Sequence, residues 1–70
     1  MSDTITCTIN GDTKVLAAGT TLIEYLIQRN VPPKAVVVEH NKEVLPKGQY
    51  EGIVLSDGDE LEILQIIGGG

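Results

Sequence analysis

The most constraining feature of the chain is a strictly alternating segment near its start that runs directly into an Asn-Gly pair. In Thr4–Ile9 every second residue is apolar, and the residues between are threonines. This alternation predicts a half-buried strand. Asn10-Gly11-Asp12 tolerates positive φ and predicts a tight turn, after which Thr13–Leu16 returns as a second strand. The chain is therefore expected to begin with a β-hairpin that has one apolar face.

A helix is predicted directly after this hairpin. Thr21 and Glu24 have the spacing of a capping box, in which the hydroxyl and the carboxylate each accept a backbone N–H. Asn30 is the predicted stop, because Val31-Pro32-Pro33 cannot continue a helix. The apolar stripe on the helix is expected to comprise Leu22, Ile23, Leu26 and Ile27.

Three further extended segments are predicted after the helix. Ala35–Glu39 is a β-branched run typical of a buried strand, Glu43–Leu45 is a short segment, and Glu60–Ile67 is the last strand. Ile53–Leu55 fits either a strand or a turn of 3₁₀ helix. Irregular chain is expected around Tyr50, which lies between Pro and Gly residues.

The order β-β-α-β-(short β)-β predicts the fold class. It indicates an α+β domain of the β-grasp, or ubiquitin-like, type. We expect a mixed sheet of four to five strands with one main helix on one face. No repeat or linker interrupts the pattern, so a single domain is predicted over residues 1–67, followed by a flexible tail over residues 68–70.

Charge and composition exclude several classes of partner. The formal net charge is −5, which argues against nucleic acid and against anionic membrane surfaces, since both require Lys and Arg. Cys7 is the single cysteine, so no internal disulfide can form. No signal-peptide pattern is present, and no apolar run approaches about 18 residues. We therefore expect a cytoplasmic protein.

The last predicted strand has two different faces. Alternation from Glu60 places Leu61 and Ile63 on the face toward the helix and Leu64 and Ile66 on the open face. An exposed apolar patch on a small protein usually marks a contact surface. Leu64 and Ile66 are therefore predicted to dock a partner. Cover by a loop or by a second copy of the chain is the alternative.

The tail Gly68-Gly69-Gly70 is the most informative stretch for function. Glycine adds no side-chain burial and costs the most backbone entropy to order, so such a tail cannot strengthen the fold. Without Cβ atoms it can thread a narrow channel in another protein. It would deliver there the α-carboxylate of Gly70, which is ionised at neutral pH. A linker remnant is the alternative explanation.

The sequence resembles the ThiS family of sulfur carriers along essentially its whole length. Asn10-Gly11 matches an early turn of that family, and Thr20-Thr21-Leu22 is similar to the start of its helix. The segment Val37–Lys47 is similar to a central segment that typically reads V-x-V-E-x-N-G-E-[IV]-V-P-[RK]. Asp57–Ile63 resembles the turn into the last strand, and Ile67–Gly70 resembles the glycine tail.

This resemblance also has two departures. Lys42 stands where the family often has Gly, which allows a different type of turn there. Gly68 stands where many members have Ala. Neither departure touches the terminal carboxylate.

The resemblance implies a specific chemistry at Gly70. A ThiF-like adenylyltransferase would join the Gly70 carboxylate to AMP from ATP, and sulfur from a cysteine desulfurase would convert the product into a thiocarboxylate. Thiazole synthase, ThiG, would then consume that sulfur in thiamine biosynthesis. Gly68, Gly69 and Gly70 would enter the active sites of the partners. The chain itself would bind no cofactor or metal, and ATP would be used by the partner.

Three alternatives share this fold. A MoaD-like small subunit of molybdopterin synthase would use the same activation chemistry. A β-grasp binding module would act through its surface alone and would tolerate loss of the tail. A ubiquitin-like modifier would form isopeptide conjugates with lysines.

Catalysis by the chain itself is not expected. His40 is the single histidine and falls at a predicted turn, where a surface role is expected. Asp57 and Asp59 flank Gly58 in the pattern of a turn, not of an acid–base pair or a metal site. Cys7 alternates with Ile residues and is expected to be a buried core thiol. A β-grasp ferredoxin is excluded, because its cluster needs four cysteine ligands.

Overall fold

The order of strands and helix agrees with the one predicted from the sequence. The structure, a computed structural model, describes residues 3–46 and 48–66. It contains β1 (Thr4–Ile9), β2 (Asp12–Ala17), α1 (Leu22–Gln28), a 3₁₀ turn (Pro33–Ala35), β3 (Val36–His40), β4 (Glu43–Val44) and β5 (Glu60–Gln65). Over the described ranges, no helix is both long and apolar enough to cross a membrane.

The strands form one mixed sheet in the order β2-β1-β5-β3-β4. β1 and β5 run parallel, and the other neighbouring strands run antiparallel. The last strand therefore lies in the middle of the sheet, flanked by the first strand of the hairpin and by β3. α1 covers one face, and the other face is open. The predicted β-grasp class with one main helix is confirmed.

Both ends of α1 have hydrogen-bonded caps. The Thr21 hydroxyl accepts from the Glu24 N–H at 3.1 Å, and the Glu24 carboxylate accepts from the Thr21 N–H at 2.9 Å, so the predicted capping box is present. At the other end Asn30 has φ 58°, and the N–H of Val31 reaches the C=O of Leu26 at 2.9 Å. This is the Schellman arrangement, and it confirms Asn30 as the stop.

The prediction for the apolar face of α1 was wrong at one position. Ile27 is 62% exposed, whereas Tyr25 is 5% exposed and belongs to the core. The reason is the 3.6-residue period, which places Leu22, Tyr25 and Leu26 on one face and turns Ile27 about 140° away from Leu22. The aromatic ring of Tyr25 therefore contributes the buried apolar area that was predicted for Ile27.

The core lies between α1 and the covered face of the sheet. Leu22 and Leu26 are fully buried, and burying a leucine side chain stabilises a fold by roughly 1.5–3 kcal/mol. The buried hydrophobic residues are Cys7, Ile9, Leu22, Tyr25, Leu26, Val36, Val38, Tyr50, Leu55 and Leu61. Tyr50, in the predicted irregular segment, is a core residue.

Several boundaries differ from the predicted ones. Ala35 ends the 3₁₀ turn, because Pro33 fixes the backbone at the start of that turn, and β3 begins one residue later. β5 ends at Gln65. Ile53–Leu55 is neither a strand nor a helix: Val54 forms one isolated bridge with Thr21.

Two turns at opposite sides of the sheet have positive φ at both central residues. Asn10 and Gly11 have φ 52° and 83°, as predicted for the first hairpin. Asn41 and Lys42 have φ 51° and 72°, so the β3–β4 turn has the same double positive φ although its second residue is not glycine. The left-handed region costs a residue with a Cβ roughly 1–2 kcal/mol. Lys42 therefore carries backbone strain.

Candidate functional site

The candidate site is the end of β5 and the chain that follows it. The described residues reach Ile66, and Gly68, Gly69 and Gly70 lie outside them. The predicted tail and its role therefore remain predictions. The fold nevertheless fixes where β5 ends, because β5 is the central strand and its last residue, Gln65, lies opposite Val36 at the start of β3.

The end of β5 presents an apolar surface on the open face. Leu64 is 62% exposed and Ile66 is 49% exposed, which confirms the predicted position of both side chains. Val37 lies directly opposite Leu64 in the β3–β5 register and shares this face. We call Val37, Leu64 and Ile66 the apolar patch. The proposed docking role of Leu64 and Ile66 stays a prediction.

Val37 was missed in the sequence because β3 was read as buried on both sides. The β-branched run there hides an alternation, since Val36 and Val38 are fully buried while Val37 is partly exposed. A sequence signal for Val37 does exist. The last strand was predicted to have one open face, so a strand paired with it should also expose every second residue, including the middle one of three valines. Only the register, however, places Val37 beside Leu64.

The other half of the open face is acidic. Glu62 lies directly opposite Glu39, and Glu60 lies on the same face of β5. Carboxylates paired in this way repel each other. Lys42 borders the same shallow depression as these three glutamates. The face therefore joins an acidic end to an apolar end along the direction of β5.

Two asparagine side chains extend the hydrogen bonding of β5 beyond its strand partners. The Asn10 carboxamide accepts from the Ile63 N–H at 2.7 Å and donates to the Ile63 C=O at 3.2 Å. On the other side, the Asn41 Oδ1 accepts from the Glu60 N–H at 2.9 Å. Both residues were predicted only as turn formers. Their side chains also hold β5 between its neighbours.

A polar cluster anchors the start of β5. The Asp59 carboxylate lies 3.0 Å from His40 Nε2, accepts from the Ser56 N–H at 2.8 Å and accepts from Asn41 Nδ2 at 3.2 Å. Burial alone raises the pKa of Asp59, but the hydrogen bonds from His40, Ser56 and Asn41 outweigh it and lower that pKa. The predicted turn at Asp57-Gly58-Asp59 is present.

The turn predicted at His40 was wrong, and its side chain is partly buried where a surface residue was expected. His40 is the last residue of β3 and its side chain is 23% exposed. It lies opposite Leu61 in the register, and this brings its ring against Asp59. Local sequence patterns could not predict this contact, because 19 residues separate the two partners.

The Cys7 thiol has the environment of a core residue. Cys7 is 1% exposed, and its Sγ lies 3.5 Å from the Ser56 C=O. Burial, with the nearby charge of Asp59, raises the pKa of the thiol and so suppresses the nucleophilic thiolate. The predicted burial of Cys7 is confirmed. Within residues 3–46 and 48–66, no three His, Cys, Asp or Glu side chains are grouped to hold a metal.

Comparison with known proteins identifies the family. The model of the ThiS family matches residues 4–70. The chain belongs to the ThiS family. The match includes the terminal glycines as well as the domain.

Curated relatives agree with the ThiS assignment. The chain is 38% identical over 50 residues to the sulfur carrier protein ThiS of Bacillus subtilis, covering 71% of this chain and 76% of that protein. It is 40% identical over 62 residues to thiazole synthases of Paramagnetospirillum magneticum and Magnetococcus marinus, covering 89% of this chain. The chain spans only 19% of the length of these two synthases.

A solved structure supports the ThiS fold. The crystal structure of the thiamine biosynthesis protein ThiS from Geobacter metallireducens superposes with a TM-score of 0.77 at 32% sequence identity. The superposition covers 94% of this chain and all of that chain. Fold and sequence therefore point to the same family.

Proposed function

We propose that this chain is a sulfur carrier in thiamine biosynthesis and that the Gly70 carboxylate is the group that carries the sulfur. The observation that carries the proposal is the ThiS family match, which continues to residue 70. The similarity to B. subtilis ThiS supports it. Thiazole synthase is the proposed acceptor, because two proteins of that name contain a segment 40% identical to this chain.

The proposed reaction begins with activation of the tail. An oxygen of the Gly70 carboxylate attacks the α-phosphorus of ATP on a ThiF-like adenylyltransferase, and pyrophosphate leaves. A thiol reductant, itself oxidised to a disulfide, releases sulfide from the persulfide of a cysteine desulfurase, and this sulfide attacks the carbonyl carbon of the acyl adenylate. AMP leaves with the electron pair of the broken C–O bond, and a thiocarboxylate remains. Gly70 must be the final residue of the mature protein for this chemistry.

The domain acts in this proposal as a handle and not as a catalyst. Two described groups that could serve as nucleophile or base have structural roles: Cys7 is buried in the core, and Asp59 is held by His40, Ser56 and Asn41. What the domain offers is a firmly held central strand that leads to the tail. Adenylation and sulfur attack are therefore assigned to partner enzymes.

The open face is proposed as the surface that docks these enzymes. The apolar patch of Val37, Leu64 and Ile66 lies at the end of β5 from which the tail departs. The repelling pair Glu39 and Glu62 lies farther from the tail on the same face, and a Lys or Arg of a partner would relieve that repulsion. We expect an apolar partner surface near its tail channel and basic side chains farther away.

Intact-mass spectrometry tests the carrier proposal directly. The chain is incubated with a ThiF-like adenylyltransferase, MgATP and a sulfide source. We expect the mass to rise by the difference between one sulfur and one oxygen atom. A chain that lacks Gly70 and a chain with one alanine added after Gly70 serve as controls, and neither should gain mass.

The outcome also separates the alternatives. A mass gain that the alanine-extended chain also shows would contradict the assignment of Gly70 as the reactive residue. Sulfur transfer from the modified chain to thiazole synthase, and not to molybdopterin synthase, is expected for a ThiS carrier. Absence of any mass gain in the wild-type chain would overturn the proposal.

A further inference from the structure

The backbone of β5 is unpaired on one side near its end. Successive residues of a strand direct their N–H and C=O groups to opposite edges. Glu60 and Ile66 bond toward the β3 side, through Asn41 and Ala35 respectively. Residues of the other set bond toward β1: the Leu61 C=O accepts from the Asn10 N–H at 2.9 Å.

Gln65 belongs to the set that faces β1, but β1 does not extend that far. β1 ends at Ile9, which is level with Leu61, and the Asn10 side chain supplies the last bonds, to Ile63. The N–H and C=O of Gln65 therefore have no hydrogen-bond partner among residues 3–46 and 48–66. A central strand thus has a short stretch of edge at its end.

A groove lies beside this edge. Asn10 of the hairpin turn lines this groove, as do Arg29 and Val31, which follow α1. The groove is lined by Ile9, Asn10, Tyr25, Leu26, Arg29, Val31, Ile63 and Gln65. Its volume of about 150 Å³ is below the roughly 300–1,000 Å³ typical of small-molecule sites. It fits a side chain of a neighbouring strand better than a cofactor.

The groove is also lined by a cationic side chain, that of Arg29. The Arg29 guanidinium lies 5.3 Å from the centroid of the Tyr25 ring. Within the described part of the chain, no carboxylate forms an ion pair with it. A guanidinium that lies over an aromatic ring and forms no ion pair with a described carboxylate is suited to bind a carboxylate ligand.

We propose that this groove receives an extended, carboxylate-bearing segment of thiazole synthase, which adds a strand beside the end of β5. The segment bonds the N–H and C=O of Gln65, and its carboxylate pairs with Arg29. Added strands of this kind obtain affinity from main-chain hydrogen bonds and specificity from side-chain contacts. The inference rests on the proposed function and would fix the direction in which the tail leaves β5 toward the synthase.

Amide hydrogen exchange at Gln65 is the first test. In the ¹⁵N-labelled wild-type chain, the Gln65 N–H should exchange rapidly, because none of residues 3–46 and 48–66 accepts a hydrogen bond from it. Saturation with thiazole synthase should slow that exchange. An unchanged exchange rate for Gln65 in the complex would overturn the proposal, as would a failure of the wild-type chain to bind the synthase.

Binding measurements on two charge variants are the second test. Arg29→Gln should raise the Kd for thiazole synthase about tenfold, which is the effect of losing one charge-assisted hydrogen bond. Lys14→Gln removes the same charge from the distant edge strand β2 and should leave the Kd unchanged. Equal binding by the two variants would contradict the role of Arg29.

A third variant tests the backbone contact. Gln65→Pro removes an N–H to which the described part of the chain forms no hydrogen bond, so the thermal unfolding of this variant should stay close to that of the wild type while synthase binding weakens. The carrier proposal is tested separately by the mass gain. A chain that forms the thiocarboxylate but whose groove variants bind like the wild type would refute the groove and leave the carrier function intact.

Discussion

Replacing Tyr50 with phenylalanine tests how a backbone carbonyl on the edge of β3 that faces away from β5 obtains its hydrogen bond. Val36 is fully buried, and its pairing with Gln65 directs its C=O away from β5. β4 spans only two residues, and the bond from the Leu45 N–H to the Val38 C=O is the last that this side supplies. The Tyr50 hydroxyl donates to the Val36 C=O at 2.9 Å. Tyr50→Phe therefore leaves a buried carbonyl without its donor.

The expected cost follows from that single bond. An unsatisfied buried acceptor costs about 1–3 kcal/mol, and the aromatic ring itself is retained. We expect Tyr50→Phe to lower the free energy of unfolding by about 1–2 kcal/mol. For a domain of this size the loss corresponds to a fall in Tm of roughly 5–15 °C. Urea and thermal unfolding followed by far-UV circular dichroism measure both quantities.

Tyr25→Phe is the matched control for this variant. Tyr25 is buried to nearly the same extent as Tyr50, with 5% and 4% exposed respectively. Its hydroxyl forms no hydrogen bond with the described part of the chain. We expect its loss to change stability by less than about 0.5 kcal/mol. Equal effects of the two substitutions would refute the reasoning that the Tyr50–Val36 bond stabilises the fold.

Three further predictions concern pH, the β3–β4 turn and the open face. The lowered pKa of Asp59 means that its ionised form stabilises the fold above the ordinary value of 3.8, and that this contribution disappears as the pH falls through the folded-state pKa. In urea titrations Asp59→Asn should therefore be destabilising at pH 7, with a difference that shrinks below pH 3.8; a constant difference would contradict it. Lys42→Gly should raise the free energy of unfolding by about 0.5–1 kcal/mol, because glycine adopts positive φ without strain. Lys42→Ala retains the Cβ and should give no such gain. Leu64→Ser should slow thiocarboxylate formation without changing Tm. Val15→Ser, at a residue 67% exposed two strands away on the same face, should change neither the rate nor Tm. Equal rates for the two variants would contradict a docking role of the apolar patch.

Local patterns in the sequence predicted the elements and their ends. The Asn10-Gly11 turn, the Thr21–Glu24 capping box and the Asn30 stop all depend on residues within a few positions of one another. Exposure of Leu64 also followed from local alternation, once the helix side of β5 was assigned. Helix-face reasoning failed at Ile27 because the predicted stripe did not follow the 3.6-residue period, which turns Ile27 away from the core and Tyr25 toward it.

Contacts between distant residues could not be predicted in this way. The sequence contains His40 and Asp59, but only the β3–β5 register brings them within 3.0 Å. The same register places Val37 beside Leu64, and the short pairing with β1 leaves Gln65 without a strand neighbour on the β1 side. Tyr50 was read as part of an irregular segment, and its hydrogen bond to Val36 depends on the short length of β4.

The sequence alone determined the elements, the family resemblance and the proposed chemical end of the chain, because these depend on residue type and short spacing. Tertiary structure decided which strand is central, which faces remain open and where the unpaired edge of β5 lies. The physical reason is that sheet order and register bring together residues far apart in the chain. Side-chain patterns within a few residues do not encode that partner choice.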